Sequence, residues 1–135
     1  MIVREILHAH IPLLTQDSTV RDAVDKMDIY QFPALVVVDE TQKPLGVLTE
    51  GDICRYIQKG NSLEDLGKTK AHHLATKPAT LIPPSLELEA AFWLMLSNNL
   101  TLLPVVEDNR LSGIVLRVDL MQALLMEHAT REQTV

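Results

Sequence analysis

The chain has 135 residues, of which 47% are hydrophobic and 22% charged, so it is long and apolar enough for a globular fold. Its formal net charge of −6 disfavours DNA or RNA as the main partner, because non-specific affinity for nucleic acids comes from cations that neutralise phosphates. No uncharged apolar run approaches the roughly 18 residues of a membrane-spanning helix, and the N-terminal residues do not predict a secretory signal. The single cysteine, Cys54, cannot form an internal disulfide and favours a reducing, cytoplasmic compartment.

The first half of the chain predicts five regular elements from its apolar periodicity and turn residues. In chain order they are a strand at 13–15, a helix through Val20, Val24 and Met27 that Phe32-Pro33 breaks, strands at 35–38 and 45–49, and a helix through Ile53, Tyr56 and Ile57 that ends at Gly60. A polar linker follows, with a short helix predicted around Leu63–Leu66. The second half predicts the same order of elements: a strand at 79–82, a helix at 86–96, strands at 102–106 and 111–116, and a helix at 120–127.

The two halves form an internal repeat. Three apolar residues of the first predicted helix recur at identical spacing in the second half, Val20, Ala23 and Met27 as Leu88, Ala91 and Met95. The register continues through the next strand. The turn after that strand is one residue shorter in the second half, and beyond it residues 46–53 align with residues 113–120. A register held through four consecutive elements indicates a true repeat. The predicted organisation is repeat 1 at 1–60, a linker at 61–73, repeat 2 at 74–130 and a tail at 131–135.

A single copy would bury too little surface to fold alone, so we expect the two copies to pack together. The fold class is α/β (α+β). Two packed and related copies would create clefts at their junction, and such clefts are common ligand sites.

Each copy has a glycine in its last strand and an aspartate at the start of the next helix. In the first copy the strand ends with the hydroxyl of Thr49, and the carboxylate of Asp52 can accept hydrogen bonds from two vicinal ribose hydroxyls. The N-terminus of the helix favours a phosphate. The alternative is purely structural, since a Thr can end a strand and an Asp can cap a helix. The motif therefore predicts either a nucleoside site or a helix cap.

These residues resemble the nucleotide-binding signature of the CBS family, which is Gly, an apolar residue, any residue, Thr or Ser, two residues, and Asp. The first copy matches in full from Gly46 to Asp52, whereas the second keeps Gly113, Ile114 and Asp119 but has Leu116 in place of the hydroxyl. The segments 74–78 and 103–106 also resemble the family. The chain is thus similar to a tandem pair of CBS domains, a Bateman module. This resemblance implies two β-α-β-β-α repeats related by a pseudo-two-fold axis, and a homodimer.

The resemblance also implies two adenosine sites, each combining residues of both repeats. The better site would comprise Thr49, Asp52, Lys77, Thr80, Thr101 and Leu102, with Lys77 as the candidate phosphate contact. The alternative interpretation of Lys77, a solvated surface lysine, is the favoured one. The weaker site would comprise Asp119, Arg117, Leu14 and Phe32. There Arg117 can compensate with its charge for the missing hydroxyl, or point to solvent.

The implied function is that of a regulatory sensor. It would bind AMP, ADP, ATP, S-adenosylmethionine or a cyclic dinucleotide between the repeats, without a required cofactor, and an effector protein would read the resulting change. The alternative is a ligand-free scaffold that mediates dimerisation or protein interaction. An enzyme such as a nucleotide hydrolase is the third class, and it is disfavoured because the sequence has no catalytic dyad, metal cluster or glycine-rich phosphate loop.

Other reactive side chains have structural interpretations. We expect Cys54 to pack in the core rather than to act as a nucleophile. The pairs His8/His10 and His72/His73 lack further ligands at zinc spacing, so no metal site is predicted. Phe92 and Trp93 are expected in the core or in a dimer contact.

Overall fold

The computed structural model describes residues 1–133 of the chain. After a 3₁₀ turn at Val3–Glu5, its elements are β1 Leu13–Leu14, α1 Val20–Tyr30, β2 Ala34–Val38, β3 Pro44–Thr49, α2 Glu50–Gln58, α3 Leu63–Lys68, α4 Ala71–Leu74, α5 Leu88–Ser97, β4 Leu102–Glu107, β5 Arg110–Leu116 and α6 Arg117–Gln133. The predicted α/β (α+β) class is confirmed, and a helix, two strands and a helix follow one another in the same order in both repeats. Of the predicted tail, 131–133 continue α6, and 134–135 lie outside the described residues.

The chain divides into two compact units. The first-repeat unit is Pro12–Ala79, and the second-repeat unit is Met1–Ile11 with the chain from Thr80 onward. In the first-repeat unit β1 pairs in parallel with β2, which pairs antiparallel with β3. In the second-repeat unit β4 and β5 form an antiparallel hairpin. Both hairpins have a bulge at the equivalent place, after Val37 and after Val105, so the sequence repeat is also a repeat of backbone geometry.

Each unit has its own hydrophobic core, built from repeat-equivalent residues. The helix residues identified from the sequence, Val20, Ala23 and Met27, are buried in one core, and their counterparts Leu88, Ala91 and Met95 are buried in the other. The strands add equivalent buried residues, Leu35, Val37 and Leu48 in the first core and Leu103, Val105 and Val115 in the second. Burial of these apolar faces is the main stabilising term of each unit.

The segment that leads into each repeat packs on the other repeat's hairpin. Thr76, which leads into repeat 2, forms two backbone hydrogen bonds with Val47 in β3 (3.1 and 2.9 Å). His8, which leads into repeat 1, forms the equivalent pair with Ile114 in β5 (2.9 and 3.0 Å). This exchange explains why residues 1–11 belong to the second-repeat unit.

The motif glycines make this exchange possible. A Cβ on Gly46 would lie 2.7 Å from the carbonyl oxygen of Thr76, and a Cβ on Gly113 would lie 2.3 Å from that of His8. Real Cβ atoms essentially never approach so closely. Each glycine is therefore required so that the lead-in backbone can approach the strand.

Two local expectations were wrong. The strand predicted at 79–82 is reduced to one parallel bridge between Ile82 and Val105, because Pro83 and Pro84 follow and offer no N–H to a ladder. Cys54 is exposed rather than packed in the core. Its neighbour Ile53 lies on the buried face of α2. Successive residues of a helix point about 100° apart, so Cys54 lies outside that face.

Two further elements were not predicted. The short helix α4 lies inside the predicted linker, and its buried Ala71 is the repeat counterpart of Val3 in the 3₁₀ turn.

Among the described residues, no helix is both long and apolar enough to cross a bilayer.

Candidate functional site

The predicted pair Thr49 and Asp52 lies at the junction of β3 and α2 and forms a reciprocal cap. The Asp52 N–H donates to the Thr49 hydroxyl (3.1 Å), and the Thr49 N–H donates to the Asp52 carboxylate (2.9 Å). This arrangement satisfies two backbone donors that the start of a helix would otherwise leave unpaired. Thr49 and Asp52 therefore cap the helix, and their two hydrogen bonds fix the position of both side chains.

The second oxygen of Asp52 accepts a hydrogen bond from the Arg55 guanidinium at 2.6 Å. The Asp52 side chain is only 8% exposed, whereas that of Arg55 is 64% exposed. Each carboxylate oxygen has two lone pairs, so one bond to each oxygen leaves capacity for a further donor. Capping and ligand binding by Asp52 are thus compatible.

A groove of about 340 Å³ opens beside Asp52, between α2 and the segment that contains α4. Its lining residues are Asp52, Arg55, Tyr56, Lys59, Thr69, His73 and Leu74. Sequence reasoning missed Arg55, Lys59 and His73 as members of a site. The spacing of Arg55 and Lys59 from Asp52, one and two helical turns, is the signal that indicates a shared face of α2 for the first two.

The equivalent aspartate of the second repeat, Asp119, lies at the start of α6. It accepts a hydrogen bond from the Leu116 N–H (3.0 Å), but the reciprocal bond is lost because Leu116 has no hydroxyl. The same carboxylate oxygen lies 2.8 Å from Nε2 of His8, with side-chain exposures of 41% for His8 and 22% for Asp119. The lead-in segment thus supplies a partner to this carboxylate that sequence reasoning missed.

The remaining predicted site residues are distributed over the two units. Lys77 is exposed in the first-repeat unit, with its Cγ beside Gly46, while Thr80 and Thr101 are half-buried in the second-repeat unit. Leu102 and Leu14 are buried in strands, Phe32 is half-buried against the first core, and Arg117 is exposed. The combination of these residues into two ligand sites stays a prediction.

Lys77 lies next to His72, with its Nζ 3.5 Å from the imidazole Nδ1. Burial lowers the pKa of His72 below the usual value of 6.5, and the positive charges of His73, Lys77 and Lys70 lower it further. The only opposing charge among these causes is Asp17. The pKa of His72 is therefore lowered first by burial and then by the positive charges around it, and both favour the neutral imidazole.

This environment predicts a pH effect on stability. Because the pKa of His72 is lower in the folded chain than in the unfolded chain, the unfolded chain binds the proton more tightly. The free energy of unfolding should therefore fall as the pH falls through the usual histidine range, and His72→Gln should remove that part of the dependence. In an NMR titration, Lys77→Gln should raise the pKa of His72. A His72 that titrates at or above 6.5 in the wild type would contradict this prediction.

The histidine pairs give no sign of a metal centre. The rings of His72 and His73 pack edge to face with centroids 4.3 Å apart. Within residues 1–133, no group of three or more His, Cys, Asp or Glu side chains is arranged to hold a metal ion.

The comparison with known proteins agrees with this architecture. The sequence profile of the CBS domain matches residues 3–59 and 71–126. The matched segments cover most of the chain, so the chain belongs to the CBS domain family.

Inosine-5'-monophosphate dehydrogenase from Methanocaldococcus jannaschii is 30% identical over 130 residues, which cover 96% of this chain but only 25% of the dehydrogenase. Among solved structures, a CBS-domain containing protein from Agrobacterium tumefaciens is similar with a TM-score of 0.81 and 20% identity, covering 91% of this chain and 98% of that one. CBSX2, solved in complex with AMP, is similar with a TM-score of 0.78 and 23% identity, covering 94% and 98%. At these identities the solved structures support the fold.

Proposed function

We propose that the chain is a regulatory module that binds an adenosine nucleotide through the motif at the β3–α2 junction. The observation that carries this proposal is the placement of Thr49 and Asp52, held by each other and by Arg55 at the edge of a groove. Membership of the CBS family and the AMP complex of CBSX2 support adenosine as the ligand. In this proposal Asp52 accepts hydrogen bonds from the ribose, and the Thr49 hydroxyl donates to the ligand.

We expect the two proposed sites to be unequal. The first combines Thr49 and Asp52 with the further residues predicted above. In the second, the carboxylate of Asp119 is already bonded to His8, and no hydroxyl stands at Leu116. The other oxygen of Asp119 has capacity for a ligand donor, but the imidazole stands beside the carboxylate and the hydroxyl of the motif is missing, so the first site should be the tighter one.

The proposed role is regulation rather than catalysis. Ligand binding would change the interaction of the chain with an effector protein, because a ligand shifts an equilibrium by its differential affinity for two states. Exposed apolar residues on α6, including Met121, Leu125 and Met126, provide a surface for the proposed homodimer. The second candidate function, a ligand-free scaffold, would use the same surface without a nucleotide.

The test is a thermal-shift measurement with AMP, ADP, ATP, S-adenosylmethionine and cyclic di-AMP on the wild type and on Asp52→Ala. A ligand that binds only the folded chain raises its melting temperature by mass action. We expect a shift for at least one adenosine compound in the wild type and none in Asp52→Ala.

Asp22→Ala is the matched control. Asp22 and Thr19 form the same reciprocal cap at the start of α1 (2.9 and 3.2 Å), so this variant loses an equivalent cap made by residues that do not line the groove. It should keep the ligand-induced shift. No shift for any compound in the folded wild type would contradict the sensor proposal and favour the scaffold. Equal loss of the ligand-induced shift in both variants would mean that Asp52 acts only as a cap.

A further inference from the structure

A second groove, of about 590 Å³, lies between α1 and α2 in the first-repeat unit and is called here the α1–α2 groove. Its floor is apolar, because Met27 and Ile53 belong to the first core and Phe32 packs against that core. The charged side chains that line it are two exposed carboxylates, Asp28 and Glu50. Within residues 1–133, neither carboxylate forms an ion pair. The α1–α2 groove therefore combines an apolar floor with a negative rim that the protein does not neutralise.

The repeat-equivalent surface of the second-repeat unit, the α5–α6 face, has the opposite character. Where the groove has two acids and a cysteine, this face has two apolar residues and a cation: in order, Asp28, Glu50 and Cys54 correspond to Leu96, Arg117 and Met121. Leu96 and Met121 are both 45% exposed, and Trp93 on the same helix as Leu96 is 59% exposed. Arg117 is exposed too, and it forms no ion pair within residues 1–133. The α5–α6 face thus combines unburied apolar side chains with an unpaired positive charge.

A difference in side-chain size accompanies the open groove. Val24 on α1 is the repeat counterpart of Phe92 on α5. Phe92 packs against the second core, whereas Val24 is exposed on the wall of the groove. An aromatic ring takes up more volume than the valine side chain, so the first repeat leaves space beside α1 that its counterpart fills. An apolar side chain from another molecule can occupy this space.

Two copies of the chain could bring these surfaces together in three ways, and the charges distinguish them. Groove against groove would place Asp28 and Glu50 near their own copies without a cation between them. The α5–α6 face against itself would bring two Arg117 side chains together. Groove against face joins apolar surfaces and sets a cation opposite two carboxylates, so it is the combination that electrostatic complementarity favours.

We propose that a second copy of the chain occupies the groove: the α5–α6 face of one copy docks on the α1–α2 groove of another, with Arg117 facing Asp28 and Glu50. The inference rests on the homodimer of the proposed function and deepens it by naming the two unlike faces that meet. It requires no bound nucleotide. Since Trp and Arg side chains often contribute most of the binding energy of an interface, Trp93 and Arg117 are the expected anchors.

Sedimentation equilibrium of the whole chain without nucleotide tests the contact. Asp28→Arg and Arg117→Glu should each weaken self-association about five- to tenfold, and the variant that carries both should associate more tightly than either alone. Both changes suit the helix dipole, because Asp28 lies in the last turn of α1 and Arg117 begins α6, so the fold should be retained. Trp93→Ala should weaken association at least about tenfold.

Glu40→Arg is the matched control for the charge reversals. Glu40 is exposed in the turn between β2 and β3 and does not line the groove. The substitution changes the net charge as much as Asp28→Arg does, and it should leave self-association within about twofold. An equal loss in Glu40→Arg and Asp28→Arg would overturn the contact, since only net charge would then matter.

Cross-linking identifies the faces directly, because Cys54 is the only cysteine of the chain and lines the groove. The wild type carries its thiol in the groove, and the variant with Cys54→Ser and Met121→Cys carries it on the α5–α6 face. With a short bis-maleimide, we expect cross-linked pairs when the two proteins are mixed and few when either is alone. Cross-linking of each protein alone without a gain in the mixture would show that like faces meet, against the inference.

Failure of this contact and failure of the proposed nucleotide binding are measured separately. A wild type that stays monomeric, or a double charge reversal that associates no better than the single ones, contradicts the contact whatever the nucleotides do. A melting-temperature shift with AMP in such a protein would leave nucleotide binding intact. Conversely, a confirmed contact in a chain that no adenosine compound stabilises would support the scaffold function together with this inference.

Discussion

Gly113→Ala should lower the free energy of unfolding by about 3 kcal/mol, the largest effect expected of a single methyl group in this chain. The new Cβ would lie 2.3 Å from the His8 carbonyl oxygen and 2.6 Å from a methyl carbon of Leu7. The lead-in segment would have to move, which would break the two hydrogen bonds between His8 and Ile114. Gly46→Ala should cost somewhat less, about 2 kcal/mol, because the equivalent distance to Thr76 is 2.7 Å.

Urea denaturation measures both effects, and amide exchange at Ile114 shows whether the lead-in segment has detached. Gly67→Ala is the control, since Gly67 lies within α3 and its Cβ would meet only the Cβ of Arg21 at 4.0 Å. In a helix interior this change should stabilise the chain by up to about 1 kcal/mol. If Gly113→Ala behaved like Gly67→Ala, the close approach of the lead-in backbone would not be a property of the folded protein.

Asp119→Ala should lower the free energy of unfolding by about 2 kcal/mol. The carboxylate satisfies the Leu116 N–H at the start of α6 and also binds His8, so its removal leaves a backbone donor without its cap and removes one partner of the imidazole. His8→Ala should cost less, about 0.5–1 kcal/mol, because the bond from Leu116 remains.

A double-mutant cycle of Asp119 and His8 isolates the contribution of their contact. We expect the double variant to be more stable than the sum of the single effects implies, with a coupling of about 0.5–1 kcal/mol. Strict additivity would mean that the pair contributes nothing measurable. The same variants, titrated with any compound that shifts the melting temperature of the wild type, report whether removal of His8 makes the second carboxylate available.

The repeat itself was predictable from the sequence. Val20, Ala23 and Met27 have counterparts at identical spacing, and the same residues fill equivalent places in the two cores. This succeeded because helical periodicity and burial are local properties that the sequence pattern carries directly. The prediction of a strand at 79–82 was wrong because the following prolines, Pro83 and Pro84, outweigh the β propensity of these residues.

The candidate site was predictable in part. The bonds between Thr49 and Asp52 follow from their spacing of three residues, which is the spacing of a capping box. The groove with Lys59 and His73 depends on how α4 packs against α2, and the partner of Asp119 lies more than a hundred residues away at His8. No periodicity connects such positions.

By itself, therefore, the sequence determined most of the helices and strands, the apolar face that each of them buries and the helix caps, because each of these depends on residues within a few turns of one another. Only the tertiary structure decided that each lead-in segment pairs with the other repeat's hairpin at Val47 and Ile114. Those pairs are made by backbone groups, which carry no side-chain signature. The glycines at 46 and 113 permit the approach through the absence of a Cβ, and the sequence alone does not say which atoms will occupy the space they leave.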